Sequence, residues 1–144
     1  ARTADDIAML LERCDPATVG LSIDTADAAI MGLDPVALFE RFAARTFHVQ
    51  LKNALATDVL DEYRLPFPER FMLAGGGARK IARWYSELED EDGLVDIRSF
   101  HAALVERGFD GWVVVESDQS PVPASSAMLN GWFVRNRLEA ARAR

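Results

Sequence analysis

A chain of 144 residues, 49% of them hydrophobic and 27% charged, has the material for one domain with a real core. Its formal net charge of −7 excludes a nucleic-acid backbone as the main ligand, because that role needs a basic surface. No apolar run reaches the roughly 18 residues that cross a bilayer, and the lone Cys14 can form no internal disulfide, which fits a reducing cytoplasm.

Ala1 to Asp6 carry none of the apolar character of a secretory signal. Ile7, Leu10, Leu11 and Cys14 then fall at i, i+3, i+4 and i+7, which predicts an amphipathic helix capped by Thr3 and ended by Pro16. Cys14 on that stripe reads as a buried structural thiol. Val19 to Asp24 is a short apolar run closed by a carboxylate, and reads as a strand. Asp34 and Pro35 pair a capping side chain with proline at the first helical position, so a helix follows through Val36, Phe39 and Phe42. From Thr46 to Lys52, the alternation of Phe47, Val49 and Leu51 with polar residues predicts a second strand.

The stretch from Asn53 to Gly93 is long for a connection and reads as a lid-like insertion or binding loop. It holds Pro66, Pro68 and the triplet Gly75, Gly76 and Gly77, and a helix is predicted from Ala78 to Leu88. The triplet, followed by Arg79 and Lys80, lacks the Walker lysine pattern and reads as a hinge sooner than a phosphate cradle. Asp96 caps a further helix with Ile97, Phe100 and Leu104 facing inward, and Gly108 closes it. Gly111 opens a third strand, Trp112 to Ser117. The last helix starts near Ser125, with Met128, Leu129, Trp132 and Phe133 as its apolar face.

Strands alternating with helices predict an α/β fold with a parallel sheet, one domain over residues 1–144. About three strands do not close an eight-stranded barrel, and an open parallel sheet leaves two unprotected edges. A chain of this kind is expected to pair with another copy or with a complementing half.

Asp24, Gln50 and Glu116 each fall at or near the C-terminal end of a predicted strand. In parallel α/β proteins side chains from separate strands converge there, and carboxylates at such a rim suit a hard divalent cation. The alternative is that Asp24 and Glu116 cap the turns that follow them. His48 and Lys52 flank Gln50 at two-residue spacing, so all three share one face of their strand. Lys52 there would set a cation beside an anionic substrate or intermediate.

Several stretches together resemble the C-terminal portion of a xylose isomerase-like TIM barrel, of the sugar isomerase, epimerase and inosose dehydratase kind. Val19-Gly-Leu-Ser-Ile-Asp-Thr-Ala-Asp27 is similar to the sixth-strand stretch ending Asp-Thr-Gly-His. His48-Val-Gln-Leu-Lys-Asn53 resembles the seventh-strand motif His-x-His-x-Lys-Asp. Gly93-Leu-Val-Asp96 looks like Gly-x-Val-Asp before the seventh helix, and the run from Gly108 to Gln119 resembles the last strand. The resemblance implies a partial (β/α)8 barrel holding strands 6 to 8.

It also implies a divalent metal, Mn or Mg, with Asp24, Gln50 and Glu116 in the ligand places that this chain covers. Glu116 is the implied catalytic carboxylate, and His48, Lys52 and Asp27 take substrate-binding places. Three positions depart from the family pattern: Gln50 stands for the second histidine of its motif, Asp27 for the substrate histidine and Asn53 for the closing aspartate. The implied activity is metal-assisted proton transfer next to a carbonyl on a sugar or cyclitol. The alternative is a non-catalytic sugar-binding or assembly module without the metal site. Endonuclease IV, which acts on abasic DNA, shares the superfamily, but the acidic charge and the absence of extra histidines set this chain apart from it.

Overall fold

The computed structural model describes residues 3–57 and 84–139. Helix α1, Ala4–Glu12, begins at a capping box in which the Asp6 N–H donates to Thr3 Oγ1 and the Thr3 N–H donates to the Asp6 carboxylate. Ile7 and Leu11 are buried, while Leu10 faces solvent and Cys14 is only partly buried, so the apolar stripe is narrower than the spacing predicts. Strand β1, Leu21–Asp24, runs straight into α2, Thr25–Ile30. This helix was not predicted, because six residues are too few to display a helical period. Helix α3, Pro35–Phe42, starts as expected, with Asp34 accepting from the Val36 and Ala37 amides. A 3-10 turn leads into β2, Thr46–Leu51.

Two short strands follow, β3 at Asn53–Ala54 and β4 at Tyr85–Ser86, paired antiparallel. This corrects the helix predicted from Ala78 to Leu88 over its described part, since residues 78–83 lie outside the described residues. The i, i+4 spacing of Trp84 and Leu88 suggests a helix, but tertiary packing wins. Trp84 and Tyr85 are both buried in a small cluster with Ala26, Ile30 and Ala54, and the Leu55 N–H donates to the Trp84 carbonyl. The glycine triplet and its basic neighbours also lie outside the described residues, as does most of the stretch read from sequence as a lid-like insertion.

Helix α4, Ile97–Glu106, buries Ile97, Phe100, Ala103 and Leu104 and is capped by Asp96. Gly108, at φ +61°, takes the left-handed turn after it that side chains disfavour. Strand β5, Trp112–Val115, precedes α5, Pro123–Phe133, which continues as a π-helical stretch, Val134–Glu139. The buried side of α5 is Ser126, Asn130 and Phe133, which corrects the expected apolar face: Met128, Leu129 and Trp132 point outward. Glu87 explains the inversion. Its two oxygens accept from Ser126 Oγ at 2.6 Å and Asn130 Nδ2 at 2.8 Å, while Asn130 Oδ1 accepts from the Leu88 N–H.

The main sheet has the order β1–β2–β5, all parallel. Ile23, Val49 and Leu51 turn one face into the main core, with Leu38 and Phe39 of α3, Phe100 and Leu104 of α4, and Phe133. The opposite face of β2 carries the polar residues.

Candidate functional site

His48 is in register with Ser22 and Trp112, and Gln50 with Asp24 and Val114. Strand alternation puts His48, Gln50 and Lys52 on the face away from Val49 and Leu51. His48 lies three residues before the end of β2, where its Nδ1 is 2.9 Å from Ser22 Oγ. Gln50 and Asp24 form the next level. Lys52 and Glu116 follow each strand beyond its last residue, with the Glu116 N–H donating to the Leu51 carbonyl.

Lys52 is the centre of the rim. Its main chain is locked by Thr25, whose hydroxyl accepts from the Lys52 N–H at 2.9 Å and donates to the Lys52 carbonyl at 2.6 Å. The side chain is only 3% exposed, and its Nζ lies 2.7 Å from Asp118, 3.3 Å from Asp24 and 3.7 Å from Glu116. The Tyr85 ring covers the ammonium at 4.1 Å from its centroid, a cation–π contact. Burial lowers the Lys52 pKa, but the Asp118 hydrogen bond and the charges of Asp24, Asp118 and Asp27 outweigh it, so the pKa lies above the ordinary lysine value.

Asp24 divides its two oxygens. Oδ1 accepts from the Asp27 N–H and caps α2, and Oδ2 faces Lys52. The turn-capping alternative and the site position therefore coexist in one side chain. Asp27 accepts a 2.9 Å hydrogen bond from the Tyr85 hydroxyl. Burial, followed by the Asp24 charge, lifts its pKa above the usual aspartate value, against the lowering effects of Tyr85 and Lys52. Asn53 turns away from the rim into the protein, where its Oδ1 accepts from the Ala54 and Val95 amides.

The structure thus gathers Asp24, Lys52 and Glu116 at one point, places Gln50 level with Asp24, and joins Asp27 through Tyr85; His48 sits lower on the same face. Thr25, Tyr85 and Asp118 were missed from sequence. Asp118 had a signal, being two residues past Glu116 in the same alternation. Tyr85 had none, because it comes from the stretch taken for a helix.

As a metal site the donor set falls short. Asp24 has one oxygen on an amide and the other on an ammonium, Glu116 faces that same ammonium, and Gln50 offers a neutral amide oxygen. Among the described residues no group of three or more His, Cys, Asp or Glu side chains is placed to hold a metal ion. These residues by themselves do not fit a divalent cation.

The profile described as xylose isomerase-like TIM barrel matches residues 1–134. The chain belongs to this family. It is 34% identical over 122 residues to inosose dehydratase of Geobacillus kaustophilus (strain HTA426), covering 85% of this chain and 37% of that protein. It is 31% identical over 124 residues to inosose dehydratase of Clostridium beijerinckii (strain ATCC 51743 / NCIMB 8052), covering 86% and 39%. With the Lacticaseibacillus casei inosose dehydratase the identity is 29% over 126 residues, again 86% and 39%. The chain therefore spans about two-fifths of the length of the relatives it matches. Within a xylose isomerase-like barrel, β1–β2–β5 is a run of adjacent wall strands, and the rim around Lys52 lies at their C-terminal edge. No helix among the described residues is long and apolar enough to cross a membrane.

Proposed function

We propose that this chain supplies part of the active site of a sugar or cyclitol isomerase, epimerase or dehydratase that moves a proton at the carbon beside a carbonyl. The observation that carries this reading is Lys52, a buried ammonium held among carboxylates at the C-terminal edge of a parallel sheet. In barrels of this kind that edge is where ligands are bound and transformed. A carbonyl oxygen that gains charge as the neighbouring carbon loses its proton is stabilised by the ammonium. Glu116, with 32% side-chain exposure against 13% for Asp24, is the more accessible strand-end carboxylate and takes that proton. His48, held by Ser22, and Asp27, held by Tyr85, orient substrate hydroxyls. No step is assigned to a Mn or Mg ion, since the described donors do not fit one.

Deuterium exchange tests the proposal. In D2O the protein should exchange the hydrogen beside the carbonyl of an inosose, read as loss of its proton NMR signal. Glu116→Gln should slow that exchange by about 10²- to 10⁴-fold, the usual contribution of a positioned acid or base. Exchange at the buffer rate across inososes and ketoses would overturn the reading.

A second reading, a sugar-binding or assembly module without catalysis, is favoured by β5, whose four residues are all exposed. In this reading its open edge pairs with the rest of a barrel or with a second copy. Sedimentation equilibrium of the chain separates the cases, and a well-folded monomer at micromolar concentration counts against self-pairing.

A further inference from the structure

We infer that Lys52 is the resident cation of this rim, and that its ammonium takes the point where Asp24 and Glu116 meet in place of a divalent metal. The inference uses the same site as the proposed function, but metal binding is measurable whether or not any inosose is turned over.

An ammonium carries three N–H donors and no acceptor. Around Lys52 Nζ stand three carboxylates from two separate segments: Asp24 at 3.3 Å from the end of β1, and Asp118 at 2.7 Å and Glu116 at 3.7 Å from the stretch after β5. The Tyr85 ring closes a further side at 4.1 Å, a surface that attracts an ammonium and offers a metal ion no ligand. The position is built and not incidental, because Thr25 fixes both the N–H and the carbonyl of Lys52. The 3% exposure of the side chain leaves the ammonium little room to withdraw into solvent.

A divalent ion at this point meets three obstacles. Mg²⁺ requires a near-octahedral shell of oxygens at about 2.0–2.1 Å, and Mn²⁺ favours similar oxygen-rich sites. Asp24 can offer only one oxygen without giving up its cap on the Asp27 amide. The third strand-end position is Gln50, a neutral amide where the family motif has a histidine. The buried ammonium would also repel the incoming dication from the middle of the site, unless it were displaced. Three carboxylates around one ammonium still leave negative charge in excess, so removing Lys52 should turn the same rim into an attractor for metal.

The test is Mn²⁺ alone, titrated into the chain by calorimetry, with melting temperature as a second readout. The unaltered chain is expected to bind no Mn²⁺ below about 1 mM and to melt at the same temperature with Mn²⁺ or with EDTA. Lys52→Met is expected to bind Mn²⁺ at least about tenfold more tightly and to be raised in melting temperature by it. Should Lys52→Met not fold, Gln50→His provides the second arm. The imidazole restored at a partly exposed position should improve Mn²⁺ binding by no more than about threefold while Lys52 remains. Micromolar one-to-one binding by the unaltered chain or by Gln50→His would overturn the inference, as would a folded Lys52→Met that gains no affinity.

Discussion

Val49 and Val113 are register partners on adjacent strands, the same residue type on the same side of one sheet. Val49 has 0% exposure and shares the main core with Ile23, Phe39 and Phe100, whereas Val113 is 41% exposed. The difference continues along the strands. In β2 apolar residues alternate with polar ones, which suits one face in the core and one face at a site. In β5 the run is Trp112-Val-Val-Val115, apolar on both sides, the pattern of a parallel strand covered on both faces. Strand propensity is equal in the two places, so what sets burial is the layer on top: helices cover β1 and β2, and among the described residues nothing comparable covers β5. One half of this sheet is a finished core and the other is a surface shaped for covering.

The largest expected effect tests how firmly the finished half is tied together. Asn53 follows β2, is 1% exposed, and its Oδ1 accepts from the amides of Ala54 and Val95 at 2.9 Å each. Asn53→Ala leaves two buried N–H groups without that acceptor, at about 1–3 kcal/mol apiece. Denaturant unfolding of the chain should show a loss of roughly 2–5 kcal/mol. A loss below about 1 kcal/mol would mean that water reaches these amides and that the closed half is looser than its burial implies.

A matched pair then tests the contrast itself. Val→Thr keeps the shape and adds a hydroxyl, so its cost measures how dry each position is. Val49→Thr should cost about 1–3 kcal/mol and Val113→Thr no more than about 0.5 kcal/mol. Equal costs would show that β5 is covered in solution. If the Val113→Thr cost grows with protein concentration, the cover is a second copy of the chain.

The helix starts at Thr3, Asp34 and Asp96 and the three parallel strands were legible in sequence, since caps, the alternation of β2 and the short apolar runs of β1 and β5 are local signals. The strand-end position of Asp24 and Glu116 was legible for the same reason, as β direction and period fix where they come. The partners of Lys52 were not. Tyr85 arrives from 33 residues away along the chain through a two-residue strand too short for any period, and Thr25 opens a six-residue helix equally short of one, so no local signal aims its hydroxyl at the Lys52 main chain. The inverted face of α5 was illegible too. Hydrophobic spacing points to Met128, Leu129 and Trp132, and only the half-buried Glu87 carboxylate, itself outside that helix, makes Ser126 and Asn130 the inward side.

The smallest effect runs in the opposite direction and asks whether the rim, like the core under Val49, is arranged for stability. Burial and the neighbouring Asp24 carboxylate raise the Asp27 pKa above its ordinary 3.8. Between 3.8 and the raised value the folded state binds more protons than the unfolded one, so stability falls as pH rises through that window, and the deficit persists at neutral pH. Asparagine at this position removes the charge and keeps an oxygen that accepts from the Tyr85 hydroxyl. Asp27→Asn should therefore melt somewhat higher than the unaltered chain at neutral pH. The gap should narrow as pH falls and close below 3.8, where Asp27 is protonated in both states. Paired melting curves across that range read the effect directly. A variant that melts lower at neutral pH would mean that the attraction of Lys52 for Asp27 outweighs the cost of crowding carboxylates, and the rim would then be as settled as the core beneath it.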